Sequence, residues 1–161
     1  MCSYKVKKCA KVLAEQKLTI AFIESATAGR MCSEFALTEY SGDILRGGLA
    51  CYEVFLKEQF LHVPHNLIDK CTPESPEVTE ILAKNGLNLF HVDVIVAVTG
   101  LTTSGGSESP QKPVGTMFLH LIIKKKHIRH REVFKGNALQ IINAAIDRAA
   151  ELILFHISSQ D

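Results

Sequence analysis

A serine stands where an early apolar run of the chain ends. Ser25 follows the mostly apolar residues 18–23 and Glu24, and small residues separate it from a helix-like pattern that begins at Gly29. A serine at such a break can cap a helix or act as a nucleophile. Thr27 could cap the same helix, and the N–H groups at the helix start could bind an oxyanion or a phosphate. Both interpretations of Ser25 stay open at this point.

Tyr52 and Lys57 follow the next strand-like segment, in the stretch CYEVFLKEQF. A lysine close to a serine can act as its base when burial lowers the pKa of the lysine. A tyrosine between them can relay a proton or orient the serine. These residue types could together activate Ser25, although sequence spacing alone does not show that they meet.

A glycine-rich segment, GLTTSGGS at residues 100–107, nearly matches a phosphate-binding P-loop. Gly106 stands where a P-loop has lysine, and two prolines follow instead of a helix, so the pattern does not indicate a nucleoside triphosphatase. The segment still leaves the carboxyl end of a strand, where open α/β sheets place ligands. Gly100, Gly105 and Gly106 would let backbone N–H groups approach an anion. A ligand-binding loop and a structural loop both fit this pattern.

Two further polar motifs favour ordinary surface structure. His62 and His65 have a metal-like spacing, but no cysteine or carboxylate pair lies nearby, so we predict a surface loop and no metal site. The basic run at residues 124–131 is typical of a solvated hairpin tip, with a nucleic-acid contact as the less favoured alternative.

Composition predicts a single cytoplasmic domain that spans residues 1–161. The chain has 161 residues, 47% of them hydrophobic and 22% charged, and a formal net charge of +1, so no strong field favours nucleic acid or a membrane. It has no apolar stretch near ~20 residues and no signal-peptide core. Its 5 cysteines are odd in number and widely spaced, as expected for reduced thiols in a cytoplasm.

Helix-like and strand-like segments alternate along most of the chain. The pattern predicts helices at 3–15, 29–40, 53–61, from the Ser75-Pro76 start towards Leu89, and at 137–155; strands at 18–23, 45–52, 92–100, 114–125 and 128–134; a turn at 41–43; and irregular structure at 64–73 and 101–113. We therefore predict an α/β three-layer sandwich with a mainly parallel sheet, one antiparallel section and helices on both faces.

Several motifs together resemble the C-terminal domain of the CinA (competence/damage-inducible protein) family. They are ESATAG at 24–29, GGLACYEVFLK at 47–57, SPEV at 75–78, VTG at 98–100, KPVGT at 112–116, and Phe134 with Gly136 before the last helix. The resemblance covers essentially the whole chain. It is to the form without the N-terminal molybdopterin-type domain.

Active members of that family are nicotinamide mononucleotide deamidases, which release ammonia and nicotinic acid mononucleotide for pyridine nucleotide salvage. The resemblance implies Ser25 as nucleophile, Lys57 as its base and Tyr52 as an aid to proton transfer. It implies substrate binding by a further set of residues: Thr27, Gly29, Thr99, Gly100, Gly105 and Gly106. The substrate would be a nucleotide-like amide, with no metal or organic cofactor and an acyl-enzyme intermediate. A homodimer or higher homo-oligomer is expected, without nucleic-acid or membrane partners.

The chain departs from the family pattern at five places: Ala26 replaces Cys, Ala28 replaces Gly, Val54 replaces Asn, residues 103–106 replace Gly-Pro-Gly-Gly, and Ala138 replaces an Arg expected to bind the substrate. Arg46, Lys112 or Lys135 are possible substitutes for that arginine. Two alternatives to the deamidase hypothesis therefore stay open. One is a silent paralogue that binds a nucleotide-like ligand or a protein partner, and the other is an amidase for a different amide.

Overall fold

The computed structural model describes residues 2–158, which form seven helices and five strands. The helices are α1 (Tyr4–Glu15), α2 (Arg30–Ala36), α3 (Ser41–Ile44), α4 (Val54–Leu61), α5 (His65–Cys71), α6 (Pro76–Phe90) and α7 (Ala138–Ser158). The strands are β1 (Ile20–Glu24), β2 (Leu45–Ala50), β3 (Val94–Gly100), β4 (Thr116–Ile123) and β5 (Lys126–Val133).

The five strands form one mixed sheet in the order β2-β1-β3-β4-β5. Strand β1 pairs in parallel with both β2 and β3. Strand β4 runs antiparallel to β3, and β5 runs antiparallel to β4. The carboxyl ends of β1, β2 and β3 therefore meet at one edge of the sheet. The predicted mainly parallel core with an antiparallel section is confirmed.

Helices cover both faces of this sheet, which confirms the three-layer sandwich. Ile20 and Phe22 of β1 join a core cluster with α1, α2, α3 and α7, whereas Ala21 and Ile23 join a second cluster with α4, α5 and α6. Such alternation follows from the period of two along a strand. Helix α6 approaches β1 closely, since a Cβ at Gly86 would lie 2.4 Å from Ile23 Cγ1. A larger residue at this position would push α6 away from β1.

The helix start predicted at Ser75 is confirmed. The Ser75 side chain accepts a hydrogen bond from Val78 N at 3.3 Å, and Pro76 is the first residue of α6. Proline suits this position because its missing N–H would have no helical acceptor.

The irregular segment predicted between Pro64 and Pro73 is wrong, because residues 65–71 form α5. Its apolar residues Leu67 and Ile68 pack into the core beside α4 and α6. A seven-residue helix has too few periods for sequence alone to distinguish it from a loop, and burial of its one apolar side stabilises it. The helix ends at Thr72, which has a positive φ of 68°.

Three other boundaries differ from the sequence prediction. The helix expected at 29–40 is α2, which ends at Ala36, and the turn expected at 41–43 belongs to the short helix α3. The β4–β5 hairpin turns at Lys124 and Lys125, both with positive φ, so β5 begins at Lys126 within the basic run. Paired positive φ values are those of the tight turns that match the twist of neighbouring strands.

None of the 5 cysteines forms a disulfide. Within residues 2–158, no helix combines the length and the apolar character that crossing a membrane requires.

Candidate functional site

A cavity of about 190 Å³ opens at the carboxyl edge of the parallel strands. Ser25 directly follows β1, Tyr52 follows β2 and Gly100 ends β3. These residues line the cavity together with Ala26, Glu74 and residues 101–106. Three segments that are far apart in the sequence thus converge where open α/β sheets bind ligands.

The Ser25 hydroxyl is available to the cavity. The Ser25 N–H donates to Val98 O at 3.0 Å, and the Ser25 carbonyl accepts from Ala28 N at 3.1 Å, so the residue is held between β1 and β3 in a tight turn. The hydroxyl itself forms no hydrogen bond with any residue of the described chain. Helix α2 has no side-chain cap from Ser25 or Thr27, so the capping interpretation of these two residues is wrong.

The N-terminus of α2 is capped by the carboxylate of Glu24, which is 0% exposed. This carboxylate accepts from Gly29 N at 3.1 Å, Met31 N at 2.9 Å and Cys32 N at 2.7 Å, and also from the Thr27 hydroxyl. The expectation that these N–H groups would bind a substrate anion is therefore wrong. The negative charge of Glu24, the last residue of β1, instead interacts favourably with the dipole at the N-terminus of α2.

We expect Glu24→Ala to lower the free energy of unfolding by about 3 kcal/mol, because several buried N–H groups would lose their acceptor. For a domain of this size, the melting temperature should fall by roughly 6–12 °C. Glu24→Gln keeps one oxygen acceptor and should cost about half as much. Chemical denaturation of the three proteins measures both effects, and a loss below about 1 kcal/mol for Glu24→Ala would contradict the capping role.

In the Ser25 turn, the Ala26 amide is free for a ligand in the cavity. Within residues 2–158, the N–H groups of Ala26 and Thr27 donate to no protein acceptor. Ala26 lines the cavity beside Ser25. A backbone N–H next to a nucleophile is the usual donor to an oxyanion in acyl transfer. Ala28 then turns the chain with φ of +49°, a conformation that favours the glycine found there in the family pattern.

Lys57 is buried, with 1% of its surface exposed, on the first turns of α4. Its Nζ donates to Cys51 O at 2.8 Å and to Tyr52 O at 3.0 Å, which places the amine at the end of β2. Burial lowers the pKa of Lys57. A neutral amine has two N–H groups and one lone pair, so two carbonyl acceptors leave that lone pair uncommitted. Lys57 itself does not line the cavity.

The remaining predicted site residues occupy different environments. Tyr52 lies at the cavity rim with 63% of its surface exposed. Thr99 is fully buried beside Gly100, and its hydroxyl is 2.8 Å from the Thr79 hydroxyl. Thr27 and Gly29 bind Glu24 and lie outside the cavity lining. The structure thus brings Ser25, Tyr52 and the loop glycines to one cavity and leaves the other polar residues around it.

The glycine-rich loop binds a carboxylate of its own. Gly105 N and Gly106 N each donate to one oxygen of the Glu108 carboxylate at 2.8 Å. The hydrogen bond from Gly105 and its neighbours lowers the pKa of Glu108. The loop therefore has the anion-binding geometry that its glycines predicted, with an internal anion bound there.

Sequence reasoning missed a polar network that anchors this loop. Lys112 Nζ donates to Thr72 Oγ1 at 2.6 Å, to Glu74 O at 3.0 Å and to Ser107 Oγ at 2.7 Å. The Ser107 hydroxyl donates in turn to the Glu74 carboxylate. Partial burial lowers the pKa of Lys112. The KPVGT motif contains Lys112, but two of its partners, Thr72 and Glu74, follow α5 and become its neighbours only in the folded chain.

The other polar motifs lie away from this cavity. His65 pairs with Glu58 and Asp69, and the residues from 2 to 158 include no cluster of three or more side chains that could hold a metal ion. In the basic strand β5, Arg129 pairs with Glu80 and Arg131 donates to Gln111 O at 2.5 Å.

The fold and cavity define an α/β domain with a free serine hydroxyl and a buried lysine at the carboxyl edge of a mixed sheet. The family model for the CinA C-terminal domain matches residues 4–157. The chain therefore belongs to the CinA C-terminal domain family.

Two curated relatives are CinA-like proteins. One from Desulfotalea psychrophila is 30% identical over 143 residues, which are 89% of this chain and 34% of that protein. One from Prochlorococcus marinus is 30% identical over 133 residues, 81% of this chain and 30% of that protein. The chain thus spans about a third of the length of these relatives.

A solved structure shares the same fold. The competence damage-inducible protein A (ComA) from Klebsiella pneumoniae superposes with a TM-score of 0.90 at 18% identity, covering 96% of this chain and 95% of that one. At this identity the match establishes the architecture alone.

Proposed function

We propose that this chain is an amidohydrolase that cleaves the carboxamide of a small molecule through Ser25, resembling the enzymes that deamidate nicotinamide mononucleotide. The observation that carries the proposal is the Ser25 hydroxyl, which faces a cavity without a hydrogen-bond partner among the described residues. A structural serine in so buried a turn would be expected to bind a neighbouring backbone group.

The proposed reaction is acyl transfer in two steps. Ser25 Oγ attacks the amide carbon while its proton passes to the Lys57 amine, and the oxyanion is stabilised by the free N–H group of Ala26, which lines the cavity. Collapse of this intermediate breaks the C–N bond, and ammonia leaves with the proton from Lys57. Water then attacks the acyl-serine ester, and the products are a carboxylate and free Ser25. Each step uses protein groups and water alone.

Lys57 supports this scheme through its environment. Its lowered pKa increases the neutral fraction that can accept a proton, and the two carbonyl acceptors fix the position of the amine at the edge of the sheet. Tyr52 at the cavity rim would assist by hydrogen bonding to the substrate or to Ser25.

The test is ammonia release from purified protein supplied with nicotinamide mononucleotide and with other pyridine carboxamides. Release that depends on Ser25 supports the hydrolase. Absence of release from every amide would favour a silent paralogue that binds a nucleotide-like ligand or a protein. Two features favour that second candidate: Ala138 in place of the expected arginine, and the position of Lys57 outside the cavity lining.

The pH profile of kcat/KM tests the role of Lys57. Only neutral Lys57 can accept the serine proton, so the rate should rise with pH and level off once Lys57 is deprotonated. Because burial lowers the Lys57 pKa, the midpoint of that rise should lie below the ordinary lysine value of 10.5. Lys57→Arg should lose at least about 10²-fold, because arginine stays protonated. A wild-type profile that shows no rise with pH anywhere between pH 5 and 10 would exclude Lys57 as the base.

We also propose that the chain forms a homodimer through a twofold interface, as the family resemblance and the apolar character of α7 suggest. Light scattering at micromolar concentration should give twice the monomer mass of 17.8 kDa. A mass equal to the monomer at every concentration tested would exclude the dimer.

A further inference from the structure

The charge around the cavity bears on which amide it accepts. Among the residues that line it within the described chain, Glu74 is the one with a charged side chain. The Glu74 carboxylate accepts from the Ser107 hydroxyl, which in turn accepts from the Lys112 ammonium outside the cavity lining. No lysine or arginine within residues 2–158 belongs to this lining.

Two of the sets of backbone N–H groups near the cavity already hold a carboxylate, and the free amide of Ala26 is the one assigned to the oxyanion. The N-terminus of α2 binds Glu24. The amides of Gly105 and Gly106 bind both oxygens of Glu108. A phosphate at either of these two places would have to displace the carboxylate and would then lie beside a like charge, which opposes its binding.

The two lysines that contact cavity-lining residues donate to protein acceptors. Lys112 directs its ammonium to Thr72, Glu74 O and Ser107, which uses all three of its donors. Lys57 donates to two carbonyls at the end of β2. Arg46 donates to the neighbouring Leu45 O on the outer strand β2. None of the three possible replacements for the missing arginine, Arg46, Lys112 and Lys135, lines the cavity.

Building on the proposed function, we propose that the substrate of this cavity is a neutral or cationic amide without a phosphate group. A carboxamide carried on a pyridinium ring fits this charge pattern, because Glu74 would stabilise the ring cation. The same molecule with a phosphate attached would be disfavoured. The reacting groups of the site thus suit the deamidation of a carboxamide, whereas the charge of its lining suits a nucleoside or a free amide better than a nucleotide.

Nicotinamide riboside and nicotinamide mononucleotide provide a matched pair of probes, since they carry the same amide and differ by the phosphate. Binding of each is measured by calorimetry on Ser25→Ala protein, and ammonia release is measured on the wild type. We expect the riboside to bind at least tenfold more tightly, about 1.4 kcal/mol, and to be hydrolysed with a correspondingly higher kcat/KM.

Removing the carboxylates of Glu74 and Glu108 tests whether they cause the expected preference for the riboside. Glu74→Gln combined with Glu108→Ala should reduce the ratio of the two binding affinities, riboside over mononucleotide, by at least tenfold. The double variant removes both negative charges and frees the Gly105 and Gly106 amides. Glu15→Gln removes one negative charge from the exposed end of α1 and should leave the ratio unchanged.

The outcomes separate this inference from the proposed function. If the mononucleotide is hydrolysed as fast as the riboside or faster, the inference is wrong and the hydrolase proposal stands. If the riboside binds preferentially but neither amide is hydrolysed, the inference stands and the hydrolase proposal is wrong. Failure of both ligands to bind, or binding of the mononucleotide with equal or higher affinity, overturns the inference.

Discussion

Ser25→Ala should reduce amide hydrolysis by at least about 10³-fold, because it removes the proposed nucleophile and with it the proposed acyl-enzyme route. The substitution removes one oxygen that has no hydrogen-bond partner in the described chain, so the fold should be unaffected. Steady-state ammonia release from the best pyridine carboxamide measures the effect, and the melting temperature should stay within about 2 °C of the wild type.

Ser33→Ala provides the matched control, because Ser33 is exposed on α2 and outside the cavity. This variant should keep wild-type activity. Full activity in Ser25→Ala protein would exclude Ser25 as the nucleophile and leave the cavity as a binding site. A mass increase on Ser25 after reaction with an amide-like electrophile would provide independent support.

Ala138→Arg should raise kcat/KM for nicotinamide mononucleotide by about 10²-fold over a weak or undetectable wild-type rate. A charge-assisted contact between arginine and phosphate is worth on the order of 2–4 kcal/mol in a partly buried site, and each ~1.4 kcal/mol is tenfold. Ala138 is the first residue of α7, which follows the end of β5 at the sheet edge where β3 ends, because Val133 pairs with Thr116 and Gly100 with Met117. Val54→Asn should add to the gain.

Ala138→Met is the control that introduces a long side chain without a charge, and it should leave the rate of mononucleotide deamidation unchanged. The gain from arginine should be confined to the phosphorylated amide, with nicotinamide riboside hydrolysed at its former rate. Equal gains for both amides would point to a change in the protein other than a phosphate contact. Robust deamidation of the mononucleotide by the wild type would contradict the premise that the missing arginine limits activity.

The family and the arrangement of most elements follow from the sequence alone. The unbroken apolar run of β3 predicts a strand that is buried on both faces. The Ser75-Pro76 pair predicts the start of α6, because the serine side chain accepts from a helix N–H group a few residues later. Because parallel strands end at one edge, Ser25, Tyr52 and Gly100 could be placed near one another before any coordinates were known.

Partners of side chains were decided by the tertiary structure. Nothing in the local sequence indicates that Glu24 caps α2, that Glu108 occupies the glycine amides, or that Lys57 donates to two carbonyls at the end of β2. Each of these polar groups has several possible acceptors or donors within reach of a flexible side chain. Packing selects among them, because a group buried by the fold must form its hydrogen bonds with whatever that fold brings near.

In the candidate site, too, the sequence determined the available residue types and the tertiary structure decided their surroundings. Residue types alone established that serine, lysine and tyrosine chemistry is available, and the order of the motifs established the family. The charge of the cavity depends on Glu74, which lies between α5 and α6. The sequence pattern did not predict α5, so it did not place Glu74 at the site. Short helices such as α5 gain their stability from tertiary packing, so the residues they position become visible only in the folded protein.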